Sequence, residues 1–140
     1  MSIVQGQTTS FKYQLFEGVH NFLTNSFYMA LYTGNADLNQ STTAYTTTGE
    51  ISGTGYTAGG KLLTGATVNY DASNSVAYVN FNNVVWSPAT FTARCALIYN
   101  ASASNASVAV IDFGSDKSCS NTFTVTMPSN TYSTALIRSS

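Results

Sequence analysis

Residues 91–99 read FTARCALIY, and the fold class follows from how they alternate. Phe91, Ala93, Cys95, Leu97 and Tyr99 recur at a period of two, with Thr92, Arg94, Ala96 and Ile98 between them. That period belongs to a strand, and it predicts that the first set shares one face and the second set the other, one of the two being core. Arg94 is one of only five basic residues, and on a sheet face it is expected to pair with a carboxylate or a carbonyl.

Working outward, the same composition recurs about every ten residues. Residues 76–81 (VAYVNF) read as a half-buried strand, and Asn82-Asn83 as a turn or bulge before Val84-Val85-Trp86. Pro88 has no amide hydrogen to give a ladder, so that strand ends near Trp86. Downstream, 100–105 is a small polar turn, 108–113 a dense apolar strand, 121–127 an alternating strand, 128–130 a turn and 135–137 a last strand or tail. Asp112 and Asp116 bracket a stretch that reads as a solvated turn; a calcium loop would place its oxygens more densely. The triplet Asp112-Phe113-Gly114 coincides with the metal-binding letters of protein kinases, but none of that context surrounds it.

Upstream, 61–68 has strand composition, 71–75 supplies a turn, and 26–33 (SFYMALYT) is apolar enough for a strand buried on both faces. Residues 1–9 are short and polar, and are expected to fray or to lie against a neighbour. Between them Phe11, Leu15, Phe16, Val19, Phe22 and Leu23 recur at helical spacing, predicting one amphipathic helix capped by Ser10 and stopped near Asn25. The sum is a mainly β chain, an antiparallel β-sandwich of jelly-roll-like or immunoglobulin-like order, with roughly seven to nine strands and one N-terminal helix. At 140 residues it reads as a single domain, 1–140.

A long polar arm interrupts this pattern at about residues 34–61. Its heart, residues 41–65, reads STTAYTTTGEISGTGYTAGGKLLTG, and the glycines at 49, 53, 55, 59, 60 and 65 suit a structured loop. Loops this long are uncommon in a compact domain unless they carry function, so the arm is expected to face another copy or another protein. Tyr45, Glu50, Thr54, Tyr56, Thr57 and Lys61, with Trp86, are the candidate interface residues.

Composition narrows the function. Charged residues are 8% of the chain and the net charge is −1, so nothing electrostatic draws in nucleic acid or an anionic membrane. A surface this neutral suits a protein packed among neighbours. No basic-then-apolar leader and no apolar run of roughly 20 residues is visible, so synthesis in a cytoplasm is expected. Cys95 and Cys119 are expected to be free buried thiols, and with one histidine they offer no zinc spacing; no cofactor or metal is expected. His20 reads as a hydrogen-bonded structural histidine. Glu17 and His20 have helical spacing, but no nucleophile or third orienting group accompanies them, so no enzyme is expected.

The runs 27–33 (FYMALYT), 42–50 (TTAYTTTGE), 52–61 (SGTGYTAGGK) and 93–100 (ARCALIYN) resemble a family of small virion structural proteins of tailed bacteriophages. The resemblance reaches from the helix to about Phe113 and carries no catalytic residues. It implies a virion component. The leading expectation is a capsid decoration or cement protein bound to the major capsid protein or other virion proteins as a homo-oligomer, a trimer for preference. The alternative is a tail or fibre module that contacts tail proteins or a host-surface glycan, with Tyr45, Tyr56, Tyr99 and Trp86 stacking on sugar rings.

Overall fold

The computed structural model describes residues 3–139. Its strands, in chain order, are β1 (Gly6–Gln7), β2 (Phe27–Tyr32), β3 (Lys61–Leu62), β4 (Thr67–Asp71), β5 (Val76–Asn80), β6 (Val84–Trp86), β7 (Phe91–Asn100), β8 (Ala106–Cys119), β9 (Phe123–Val125) and β10 (Ile137–Ser139), with one α-helix, α1 (Thr9–Phe16), after β1. The main sheet has the order β1-β8-β7-β2-β3; β10-β5-β4 and β6-β9 form two smaller sheets, and every strand pair is antiparallel. The mainly β, antiparallel, sandwich-like reading with one helix near the N-terminus holds.

β2 is buried on both sides, and its alternation is regular. Phe27, Met29 and Leu31 enter a large core with Val79 of β5, Val84 and Trp86 of β6, Phe123 and Val125 of β9 and Ile137 of β10. Ala30 and Tyr32 enter a second core, on the other face, with Ala36, Leu38, Cys95, Leu97, Tyr99 and Val110. The main sheet is thus the middle layer, with the small sheets on one side and the first part of the arm, with Ala36, Leu38 and Tyr45, on the other; past the edge of β2 the arm's Ile51 and Tyr56 turn into the first core.

β7 corrects the expected single face. Phe91, Ala93, Ala96 and Ile98 belong to the first core, whereas Cys95, Leu97 and Tyr99 belong to the second. The register explains it: Ala93 lies opposite Lys117 and Cys95 opposite Asp112, leaving Arg94 unpaired on β7 and 113–116 unpaired on β8. An extra residue flips the side-chain phase of everything after it. Arg94 meets Asp112 at 3.2 Å, the carboxylate partner expected for it. The stretch 112–117 is therefore a bulge inside β8, not a turn between strands, although 114–117 is exposed as a solvated segment would be.

The helix is shorter than its apolar spacing predicts. Gly18, at φ +73°, ends it: the Gly18 amide donates to Leu15 O at 3.2 Å and the Val19 amide to Gln14 O at 3.0 Å, a Schellman closure. Thr8, not Ser10, is the N-cap, its hydroxyl accepting from the Phe11 amide at 3.3 Å. Phe11 and Phe22 reach the core, but Leu15, Phe16 and Leu23 are exposed, so the six apolar residues do not share one buried helical face. Two further differences are local. Residues 61–68 split at Gly65 (φ +67°) between β3 and β4, in different sheets. Residues 3–9, expected to fray, are docked through the Ile3–Leu38 bridge and the β1–β8 pairing; residues 1 and 2 lie outside the described residues.

Candidate functional site

The arm, residues 33–60, contains no strand, so its backbone groups must find partners elsewhere. They find them in turns and a closure within the arm and at the rim of the main sheet. The Thr33 amide donates to Gly49 O at 2.8 Å, Ile51 to Leu31 O at 3.1 Å, and Tyr45 to Asn105 O at 2.9 Å. The Ser107 amide donates to Thr43 O and the Thr90 amide to Thr54 O, both at 2.9 Å. The arm's own Ala36 and Leu38 are fully buried against the sheet. At Gly60, φ +84°, a Cβ would sit 1.9 Å from Met29 O, so only glycine lets the arm approach β2 this closely.

At the centre stands Glu50. Tyr45 Oη donates to its Oε1 at 2.6 Å, while Tyr56 Oη and the Gly59 amide donate to Oε2 at 2.5 and 2.8 Å. Tyr56 Oη in turn accepts the Leu31 amide at 3.0 Å, which ties the carboxylate to β2. Tyr99 Oη donates to Gly59 O at 2.5 Å, and Tyr32 Oη to Thr46 O at 2.7 Å. The Tyr45 ring stacks on Tyr99 at 4.8 Å, and Tyr28 stacks on Tyr99 at 5.8 Å.

Burial, followed by the Glu50 hydrogen bond, raises the hydroxyl pKa of Tyr45 and of Tyr56; burial and the nearby Glu50 charge push Tyr99 up to about 12. Tyr32 is raised chiefly by burial. All four hydroxyls therefore stay protonated at neutral pH and serve as donors. Among the described residues no cationic side chain bridges Glu50. Chemically this is a clamp: hydroxyls and an amide hold one carboxylate, and the carboxylate holds the arm.

The seven candidate interface residues thus divide. Tyr45, Glu50 and Tyr56 converge in the clamp, and Trp86 is buried, 3% exposed, against Phe91 and Phe123. Thr54 and Thr57 lie exposed on the outer side of the arm. Lys61 is also exposed; its ammonium donates to Val85 O and sits 6.0 Å from the Trp86 ring centre. The set Tyr45, Tyr56, Tyr99 and Trp86 forms no open platform for a sugar ring, because the rings face one another or the core and the three tyrosine hydroxyls are engaged within the chain.

His20 lies in the loop after α1, so it does not share a helical face with Glu17. Its Nε2 is 2.8 Å from Gln14 Oε1 and its Nδ1 is 3.1 Å from Asn100 Nδ2. Asn100 Oδ1 accepts from the Ser102 amide, which leaves Nδ2 to donate; His20 is then the neutral Nε2–H tautomer. Burial lowers its pKa. This is the structural histidine the sequence suggested. Cys95 and Cys119 are free thiols, Cys95 with its pKa pushed up to about 12 by burial. Among the described residues no three His, Cys, Asp or Glu side chains gather as a metal group, and no helix is long and apolar enough to cross a membrane.

Sequence reasoning missed the apolar side chains that stay outside. Phe16 is 93% exposed, Tyr70 79% and Leu23 69%. Gly18 was the available signal for Leu23, since a helix closed there cannot carry it to the core; Phe16, five residues after the buried Phe11, points away from that side of the helix. Comparison with protein-family models, with curated proteins and with solved structures finds no match.

Proposed function

We propose that this chain is a subunit of a larger assembly, a structural protein of a bacteriophage virion, acting as a capsid decoration or cement protein seated on the major capsid lattice as a homo-oligomer. The virion assignment rests on the sequence resemblance. The observation that carries the assembly reading is the β4–β5 hairpin. Val68 lies opposite Val79 and Tyr70 opposite Ala77, and directly opposed residues share a sheet face. Val79 is buried in the large core, so Val68 and Tyr70 lie on the core side of the hairpin, yet they are 48% and 79% exposed. The inner face of this hairpin runs past the body that should cover it. β4 is also an edge strand, and its only charge is Asp71. Isolated proteins guard such edges with charge or proline; a neighbour that packs on the overhang removes the need.

Such a subunit recognises assembled shell and not free capsid protein, and so stabilises the shell by mass action. Two measurements test this. Quantitative staining of purified particles is expected to give hundreds of copies; a few tens or fewer would make the chain a tail module instead. Shells stripped of the protein are expected to lose thermal stability, and stripping without effect would remove the cement role.

A further inference from the structure

One end of the body is open between two strand edges. Among the described residues, β1 covers β8 only opposite Ala109 and Val110, so beyond Asp112 no described strand lies on the side of β8 turned away from β7. β9, among the described residues, pairs with β6 alone, which leaves its second edge without a strand as well. Between these edges lies a groove of about 950 Å³. Ile111, Phe113, Met127 and Leu136 give it an apolar floor, and the alternate threonines of the β9 segment line its wall. Gln7 Nε2 donates to Arg138 O at 2.9 Å and closes one end.

Its charge is one-sided. Lys117 and Arg138 line the groove, and none of the six aspartate and glutamate side chains does, although the protein as a whole is slightly acidic. Among the described residues neither cation has an ion-pair partner. Backbone edge, apolar floor and two free cations together select a ligand that no one of them would. A polyanion would leave the floor and the edge unused; a neutral apolar chain would leave the cations unused.

We infer that this groove binds an extended polypeptide strand of an assembly partner, which adds to the free edge of β9 and directs carboxylate side chains toward Lys117 and Arg138. Edge addition supplies register-fixing main-chain hydrogen bonds, and alternate side chains fill the floor. An ordinary strand of about 5–6 residues suffices. The inference names a partner chemistry for the assembly reading and rests on it only for the partner's origin.

The test uses the purified full chain and ten-residue synthetic peptides of three designs, four peptides in all, followed by titration calorimetry. One alternates valine with glutamate, one alternates valine with lysine, and the third is the glutamate peptide with alternate amides N-methylated, made in both registers. The glutamate peptide is expected to bind at least tenfold more tightly than the lysine peptide and than the weaker N-methylated register. Lys117→Glu with Arg138→Glu is expected to reverse the charge preference while leaving the urea midpoint unchanged. Equal binding of the two charged peptides, indifference to N-methylation in both registers, displacement by a sulfated oligosaccharide as readily as by peptide, or no binding at millimolar peptide would each overturn the inference. If the double variant fails to fold, the peptide series on the unaltered chain decides alone. Particle copy number is untouched by this experiment, so the two readings fail separately.

Discussion

The two faces of the main sheet are covered by different means. On one, strands of two smaller sheets bring Phe27, Phe81, Trp86, Phe91 and Phe123 together, and the contacts are apolar and aromatic. On the other, the first part of the arm, which has no strand, lies over Ala30, Tyr32, Cys95 and Leu97; it is fixed by Glu50, four tyrosine hydroxyls and glycines of positive φ before Ile51 and Tyr56 pass the β2 edge into the first core. A regular layer satisfies its backbone by the ladder and spends its side chains on packing. An irregular one must satisfy its backbone piece by piece, so polar side chains and close approaches replace the ladder. The strand-covered face should therefore fail through lost volume, and the arm-covered face through a lost hydrogen bond or an added atom.

The severest test adds one atom to the arm face. Gly60→Ala places a Cβ against Met29 O and Met29 C, backbone atoms that cannot move aside, and does so at a φ that disfavours any side chain. It is expected to cost upward of about 4 kcal/mol in urea unfolding, or to prevent folding. A near-neutral result would show that the arm can lift off β2. Next comes volume on the opposite face. Phe27 is 2% exposed and stacked on Phe22 at 4.4 Å, so Phe27→Ala should lose roughly 3–5 kcal/mol.

Glu50→Gln keeps shape and removes charge. Two tyrosine hydroxyls and an amide then share one carbonyl oxygen and an NH₂ group, at an expected cost of about 1–3 kcal/mol. The loss should be local. Cys95 belongs to the core beneath the arm, whereas Cys119 packs against the other one, so in a Cys119→Ser background thiol alkylation reports on the arm face. Faster alkylation of Cys95 in Glu50→Gln, with the Phe27 side still protected from amide exchange, is the expected pattern; equal loosening of both faces would mean the layers are not separable.

The smallest effect belongs to His20, packed between α1 and β7. Burial depresses its pKa in the fold, so the unfolded chain takes up the proton first as pH falls. Its contribution to stability is complete above about pH 6.5 and declines below that, toward the lowered folded-state value, with a slope of at most about 1.4 kcal/mol per pH unit. Urea unfolding between pH 7 and 5 should show that decline, and His20→Gln should flatten it.

What was legible in the sequence follows the same division. β2, β5, β6 and the end of β6 before Pro88 could be read because period-two burial and proline chemistry are local properties. The helix was over-read because apolar spacing continues past Gly18 while the backbone does not. β7 was half-read: its strand character is local, but the change of side at Arg94 depends on which residue of β8 stands opposite. The arm was recognised as ordered and chemically special from its glycines and tyrosines. That Tyr45, Glu50 and Tyr56 turn inward is set by Leu31, Gly59 and Tyr99, and no spacing rule relates those positions to one another.

Arg94 marks the point where β7 passes from one interior to the other. Removing Arg94 itself would only straighten the strand, because Ala93 and Cys95 already face opposite sides; removing Ala96 would send Leu97 and Tyr99 toward the phenylalanines and Ile98 toward the tyrosines. The rest of the strand would then be in the wrong reading frame for its surroundings. Exposed stretches of the arm, such as 47–48 or 57–58, have no such phase to keep. Length changes should therefore be far easier to engineer in the irregular layer than in the regular strand beneath it.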